Sequence, residues 1–203
     1  MIRRTVGIVD YGVGNHMSVW RALQSLHYRC RVSSERAVLD STDLLLLPGV
    51  GAFPAAMQAL QQHELTGYLQ EQARAGKPFV GICLGMQLMA DTSTEFGVTA
   101  GLGLVPGTVT ALRDAAWHTG WNTIEAVGAD PLLKPVDGQS VYFNHSYVFD
   151  APAEYRIGVA RLVDPFAIAV RRENMVGLQF HPEKSQDTGR LILRGVIEGL
   201  CNA

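Results

Sequence analysis

The chain has 203 residues, 47% of them hydrophobic and 18% charged, with a formal net charge of −2. This length and balance fit a single folded domain, 1–203, and exclude a disordered chain. The near-neutral charge gives no footprint for nucleic acid or an anionic membrane, and three scattered cysteines cannot build a disulfide framework or a metal cluster.

No apolar run is long enough to span a bilayer, since Leu44-Leu45-Leu46-Leu47 stops at Pro48. Met1 to Arg4 lead straight into Thr5 to Val9 without a secretory leader, so a cytoplasmic location is expected. Thr5 to Val9 is a β-rich run ending in Asp10-Tyr11-Gly12-Val13-Gly14-Asn15. The spacing of Val19, Leu23 and Leu26 predicts a helix from His16. No third glycine follows Gly12 and Gly14, so this is not a dinucleotide fingerprint. Alternation at Cys30-Arg31-Val32 predicts a second strand.

Asp43 to Leu47 is apolar throughout its core, as a strand covered on both faces requires. It runs into Pro48-Gly49-Val50-Gly51-Ala52-Phe53. A helix is predicted from Ala55 to about Glu71, then a strand from Phe79 to Ile82, then a helix from Leu84 towards Asp91. This alternation predicts an α/β domain: a mostly parallel, doubly wound sheet with helices on both faces. Ligands bind such sheets at the carboxyl ends of the strands, where the loops at Gly12, Gly49 and Cys83 converge. After Asp91 the texture becomes one of short strands: Thr108 to Leu112, Gln139 to Phe143, Ala167 to Val170 and Met175 to Phe180. Glu173-Asn174 is a hairpin tip, and the excursion is antiparallel. A last helix, Thr188 to Leu200, carries an apolar stripe.

Two stretches carry chemistry. Gly81-Ile82-Cys83-Leu84-Gly85, between strand and helix, has the cysteine form of the nucleophile elbow, in which flanking glycines let a sharp turn expose the reactive side chain. The positive end of a helix dipole favours a thiolate placed there. The alternative is a buried structural cysteine. Gln179-Phe180-His181-Pro182-Glu183 supplies a base and an orienting carboxylate two residues apart, the set that a cysteine nucleophile needs. Alone, His181 reads as a hydrogen-bonded structural histidine; beside the elbow it reads as the base.

Gly81-Ile82-Cys83-Leu84-Gly85-Met86-Gln87 and Phe180-His181-Pro182-Glu183-Lys184-Ser185 resemble the two signatures of class I (triad) glutamine amidotransferases. Four further stretches are similar to one branch of that family, the glutaminase subunits of imidazole glycerol phosphate synthase. They are Asp10 to Asn15, Pro48 to Phe53, His118-Thr119-Gly120-Trp121-Asn122 and Asn144-His145-Ser146-Tyr147. The resemblance implies a flavodoxin-like fold and, with no cofactor or metal, hydrolysis of L-glutamine to glutamate and ammonia. Cys83, His181 and Glu183 would be the triad. Leu84 and Val50 or Gly51 would supply oxyanion-hole N–H groups, although the glycines around Val50 also read as aids to close packing. Gln87, His145, Ser146 and Tyr147 would hold the substrate, although the last three also read as structural polar residues.

The ammonia would pass to a separate (β/α)₈-barrel cyclase subunit. Asn15, Trp121, Tyr142 and Lys184 would face that partner; the two aromatics also read as core and Lys184 as a solvated charge. Thr119 and Asn144 depart from the branch's usual methionine and apolar residue. They leave open a paralogue that feeds a sugar amidotransferase. Other classes are a non-glutaminase cysteine hydrolase and a silent regulatory module.

Overall fold

The computed structural model describes residues 4–113 and 115–202, so Met1 to Arg3 of the leader reading lie outside it. The chain opens with β1 (Thr5–Val9), α1 (His16–Ser25), β2 (Arg29–Ser33), α2 (Arg36–Asp40) and β3 (Leu44–Gly49). Next come α3 (Phe53–Gln62), α4 (Leu65–Arg74), β4 (Phe79–Cys83) and α5 (Leu84–Leu88). Short strands follow: β5 (Thr92–Ser93), β6 (Thr99–Ala100), β7 (Thr108–Ala111), β8 (His118–Thr123) and β9 (Glu125–Ala126). The rest is β10 (Ser140–His145), β11 (Tyr147–Asp150), β12 (Arg156–Arg161), β13 (Pro165–Arg172), β14 (Met175–Leu178) and α6 (Gln186–Cys201).

The main sheet has the order β2-β1-β3-β4-β14-β13-β12-β9. Neighbours from β2 to β14 are parallel, and β13, β12 and β9 extend the sheet antiparallel. A smaller sheet, β11-β7-β5-β6, and the β8–β10 pair make up the excursion. β3 explains the layering. Leu44 and Leu46 enter an apolar layer with Val19 and Leu23 of α1 and Ile192 and Val196 of α6. Leu45 and Leu47 enter the opposite layer with Phe53 and Leu60 of α3 and Leu65 and Leu69 of α4. Alternate side chains of one strand thus feed both faces, each buried leucine contributing about 1.5–3 kcal/mol.

Three helices differ from the sequence reading, α2 because it had no sequence counterpart. The expected helix from Ala55 to about Glu71 is two helices, broken at Glu64 in the left-handed region (φ 55°, ψ 27°). In one continuous helix Leu65 would sit about 140° around the axis from Leu60; the break returns both to the same layer. No glycine or proline marks this position, because tertiary packing imposes it. The helix from Leu84 ends at Leu88 rather than near Asp91. The Leu88, Met89, Ala90 and Asp91 carbonyls accept instead from backbone N–H groups between Gly101 and Val105. The Glu173-Asn174 turn joins β13 to β14 as the expected antiparallel hairpin. The strands β5, β6, β8, β9, β11 and β12 had no sequence counterpart.

Candidate active site

Glycines shape the elbow. A Cβ on Gly81 would lie 2.6 Å from the Gly85 carbonyl oxygen, and one on Gly85 would overlap the Leu47 carbonyl. Strand and helix therefore pass at a separation only glycine permits. Between them Cys83 adopts φ 55°, ψ −112°, a conformation that costs a non-glycine residue of order 1–3 kcal/mol. Close packing on all sides imposes it and aims Sγ off the carboxyl end of β4. The one-turn α5 leaves little helix dipole, and the group facing the sulfur is an imidazole.

That imidazole belongs to His181, just past β14, whose backbone N–H donates to the Tyr142 carbonyl at 2.8 Å. The 3-10 turn Pro182–Lys184 folds Glu183 back, placing Oε1 2.8 Å from His181 Nδ1. Both side chains are buried. Glu183 Oε2 has no hydrogen-bond partner among the described residues, so no second donor competes for the carboxylate. With Nδ1 so engaged, the other ring nitrogen is left for Cys83, which lines the same cavity as His181. Burial alone would depress the imidazole pKa; the hydrogen bonds and charges of Cys83 and Glu183 outweigh burial and raise it to about 9. His181 therefore carries its proton at neutral pH.

A cavity of about 260 Å³ opens over the sulfur, and Val50, Gly51, Leu84, Gln87, His145, Ser146 and Tyr147 all line it. The Gly49–Cys83 pairing of β3 with β4 brings the Val50 loop alongside the nucleophile. Gln87 Nε2 donates to the Tyr147 carbonyl at 2.9 Å and to Gln179 Oε1 at 3.0 Å, which fixes the orientation of its amide. His145 Nδ1 lies 2.9 Å from the Tyr147 carbonyl and so carries the hydrogen. Its Nε2 then accepts from His118 Nδ1 at 3.0 Å, while Asn122 Nδ2 approaches His118 Nε2 at 3.4 Å. Burial lowers both histidine pKa values, that of His145 to about 4 with help from the charges of His118 and His181. They are neutral donors and acceptors in a series packed on Phe143 and Phe166.

Two contributors were missed at the sequence level, and a third, Asn144, stood there only as a departure from the branch's pattern. Glu95 lines the cavity, with Oε2 accepting from the Phe53 N–H at 2.7 Å. Nothing local announces it. Asn144 lines the mouth, and its carbonyl oxygen lies 3.9 Å from Cys83 Sγ. Gln179 is fully buried, with Nε2 3.9 Å from the same sulfur. Its place two residues before His181 could have marked it.

Three of the four residues expected at a partner face touch one another. Trp121 and Tyr142 face each other across β8 and β10, edge to face at 6.1 Å, and Lys184 Nζ lies 5.8 Å from the Tyr142 ring. Trp121 is 50% exposed, which removes its core reading, and Lys184 also lines the cavity. Asn15 instead caps α1, its Oδ1 accepting from the Ser18 N–H at 3.2 Å. Among the described residues no helix is long and apolar enough to cross a membrane, and no three acidic, histidine or cysteine side chains converge as a metal site.

An elbow cysteine on a parallel sheet, sharing a cavity with a late His-Glu pair, defines a class. The chain belongs to the glutamine amidotransferase class-I family, whose model matches residues 7–197. Within it, the chain is 43% identical over 195 residues to imidazole glycerol phosphate synthase subunit HisH of Listeria innocua, covering 94% of each chain. It is 42% identical over 190 residues to the HisH subunit of Streptococcus sanguinis, covering 92% of each. Solved structures share the fold at lower identity. A putative GMP synthase subunit from Thermoplasma acidophilum has a TM-score of 0.74 at 20% identity, over 100% of this chain and 96% of that one. A glutamine amidotransferase from Thermotoga maritima has a TM-score of 0.72 at 16% identity, over 100% of both.

Proposed function

We propose that the chain is the glutaminase subunit of an imidazole glycerol phosphate synthase, hydrolysing L-glutamine and handing ammonia to a separate (β/α)₈-barrel cyclase. The observation that carries the chemistry is the Glu183–His181–Cys83 row beneath a polar cavity. The choice of synthase is supported by the HisH relatives, matched over most of both chains.

Cys83 Sγ attacks the side-chain amide carbon, and the carbonyl electron pair moves onto oxygen. The Leu84 N–H and an N–H of the Val50–Gly51 loop stabilise that oxyanion, a contact usually worth about 10²–10³ in rate per donor. His181 gives its proton to the amide nitrogen, the C–N bond breaks, and ammonia leaves a thioester on Cys83. Water then attacks, surrendering a proton to His181; the C–S bond breaks, glutamate departs, and Sγ and the protonated imidazole are back as they began. Glu183 holds the imidazole in the required tautomer throughout. Glu95 is the cavity carboxylate suited to the substrate's α-ammonium, and Gln87, His145, Ser146 and Tyr147 complete the seat. Trp121, Tyr142 and Lys184, beside the mouth, meet the cyclase together with Asn15, and the complex works in the cytoplasm.

The polar Thr119–Asn144 contact at the mouth favours a second reading, the same chemistry serving a sugar amidotransferase. The test is glutamate release from glutamine by the chain alone, then with an imidazole glycerol phosphate synthase cyclase and its nucleotide ligand. Strong stimulation supports the first reading. Glutamine hydrolysis indifferent to the loaded cyclase would move the chain to another synthase.

A further inference from the structure

Tyr11 lies just past β1, fully buried, and its hydroxyl donates to the Pro48 carbonyl at 2.9 Å. A Cβ on Gly49 would sit 2.9 Å from that same hydroxyl, and as close to Gly85 N and Leu84 Cβ. The phenol therefore packs where β3, the elbow and the loop meet, and Gly49 pairs directly with Cys83. From the other side a Cβ on Gly14 would come within 3.4 Å of the Pro48 oxygen, so the glycine loop after β1 backs the same carbonyl. Burial, then the charge of Cys83, pushes the phenol pKa well above its ordinary value, so Tyr11 remains a donor. Beyond Gly49 the restraint ends. Val50 is 41% exposed, and nothing lies within 4 Å of a Cβ placed on Gly51, whose φ is 91°. Gly49, still paired with Cys83 and backed by the Tyr11 hydroxyl, is thus the last residue of β3 before the peptides that would face the oxyanion.

We propose that Tyr11 is a positioning residue for the reaction at Cys83: its hydroxyl, through the Pro48 carbonyl, holds the stem of the Gly49-Val50-Gly51 loop in register with the sulfur. The inference rests on the amidase reading of Cys83 and adds a residue that neither touches substrate nor belongs to the triad. Preorganised donors stabilise an oxyanion only while their backbone is held, and a phenylalanine would fill the same space without the restraint.

The experiment compares Tyr11→Phe with wild type using two probes of Cys83. Glutamate γ-semialdehyde takes the sulfur at its carbonyl carbon, and the displaced electron pair forms an oxyanion that the loop must stabilise. Iodoacetamide reacts at its methylene with loss of iodide, and no oxyanion forms. The expected result is at least tenfold weaker aldehyde affinity with an alkylation rate within twofold of wild type. In glutamine hydrolysis kcat should fall by a similar factor at unchanged KM. Tyr28→Phe is the control. It deletes a hydroxyl bonded to Glu198 at 2.8 Å, at the amino end of β2 and remote from the loop, and should leave the aldehyde affinity unchanged. Unchanged or tighter aldehyde binding in Tyr11→Phe overturns the proposal, as does an equal loss in Tyr28→Phe or a parallel fall in alkylation. A wild-type chain that binds the aldehyde but leaves glutamine intact would overturn the amidase reading and leave the aldehyde comparison to judge Tyr11.

Discussion

Thr119 Oγ1 donates to Asn144 Oδ1 at 3.1 Å, the two residues standing directly opposite each other on β8 and β10. Each departs from the apolar pattern expected at its position, yet together they form one matched cross-strand contact. The departures are therefore a single change, placed at the mouth of the cavity rather than at the sulfur. Exposed cross-strand pairs are worth about 0.2–1 kcal/mol. Thr119→Val and Asn144→Val should each cost stability in that range, and the double variant less than their sum. Thermal unfolding of the cycle measures the coupling, and additive losses would show that the contact contributes nothing.

Removing the row should stop glutamine hydrolysis and nothing else. Cys83→Ala and His181→Ala should lower glutaminase activity at least about 10⁴-fold, while the complex continues to use added ammonium. Glu183→Gln removes the charge that helps raise His181, so the alkaline limb of the kcat profile should move to lower pH. Its rate should fall about 10²–10⁴-fold. An unshifted alkaline limb would show that Glu183 does not set the imidazole.

Glu95 is a buried carboxylate on the cavity wall, already engaged by the Phe53 N–H. A charge-assisted contact to a substrate ammonium is worth about 1.5–3 kcal/mol, so Glu95→Gln should raise the KM for glutamine roughly ten- to a hundredfold with a smaller change in kcat. Steady-state kinetics decide it. A fall in kcat at constant KM would instead place Glu95 in support of the loop before α3.

The buried His118–His145 pair predicts acid sensitivity. The folded pKa of His145, about 4, lies below the ordinary value of 6.5, so between these limits the unfolded chain binds more protons. Stability from this group is complete above pH 6.5 and falls as pH drops towards 4, by on the order of 3 kcal/mol. His118 shifts in the same direction. Urea unfolding at pH 7, 5.5 and 4.5 should show the loss, and His145→Gln should flatten it. An equally steep pH dependence in the variant would assign the effect elsewhere.

Burial pushes the Cys30 thiol up to about 11 and raises that of Cys201. Both stay protonated at neutral pH. Limited treatment with a glutamine-mimicking electrophile should therefore modify Cys83 alone, as read by peptide mass mapping. Equal labelling of Cys30 would contradict it.

The sequence by itself determined the layered α/β class, the elbow at Cys83, the His181–Glu183 spacing and the Glu173-Asn174 turn. Each is written in short-range terms: a period of 2 or 3.6, an all-apolar strand such as Leu44 to Leu47, or glycines where the backbone must turn. Only the tertiary structure decided what meets across the chain. A break at Glu64 keeps Leu65 in the layer of Leu60, and α5 ends at Leu88 because the Gly101–Val105 segment takes the carbonyls that would continue it. Glu95, Gln179 and Asn144 reach the sulfur's cavity, or the sulfur itself, from separate segments. The orientation of Gln87 is set by the Tyr147 carbonyl 60 residues on. Tyr11 reaches the Pro48 carbonyl 37 residues away. Such contacts depend on how strands register and layers pack, and no local pattern encodes the partner of a buried polar group.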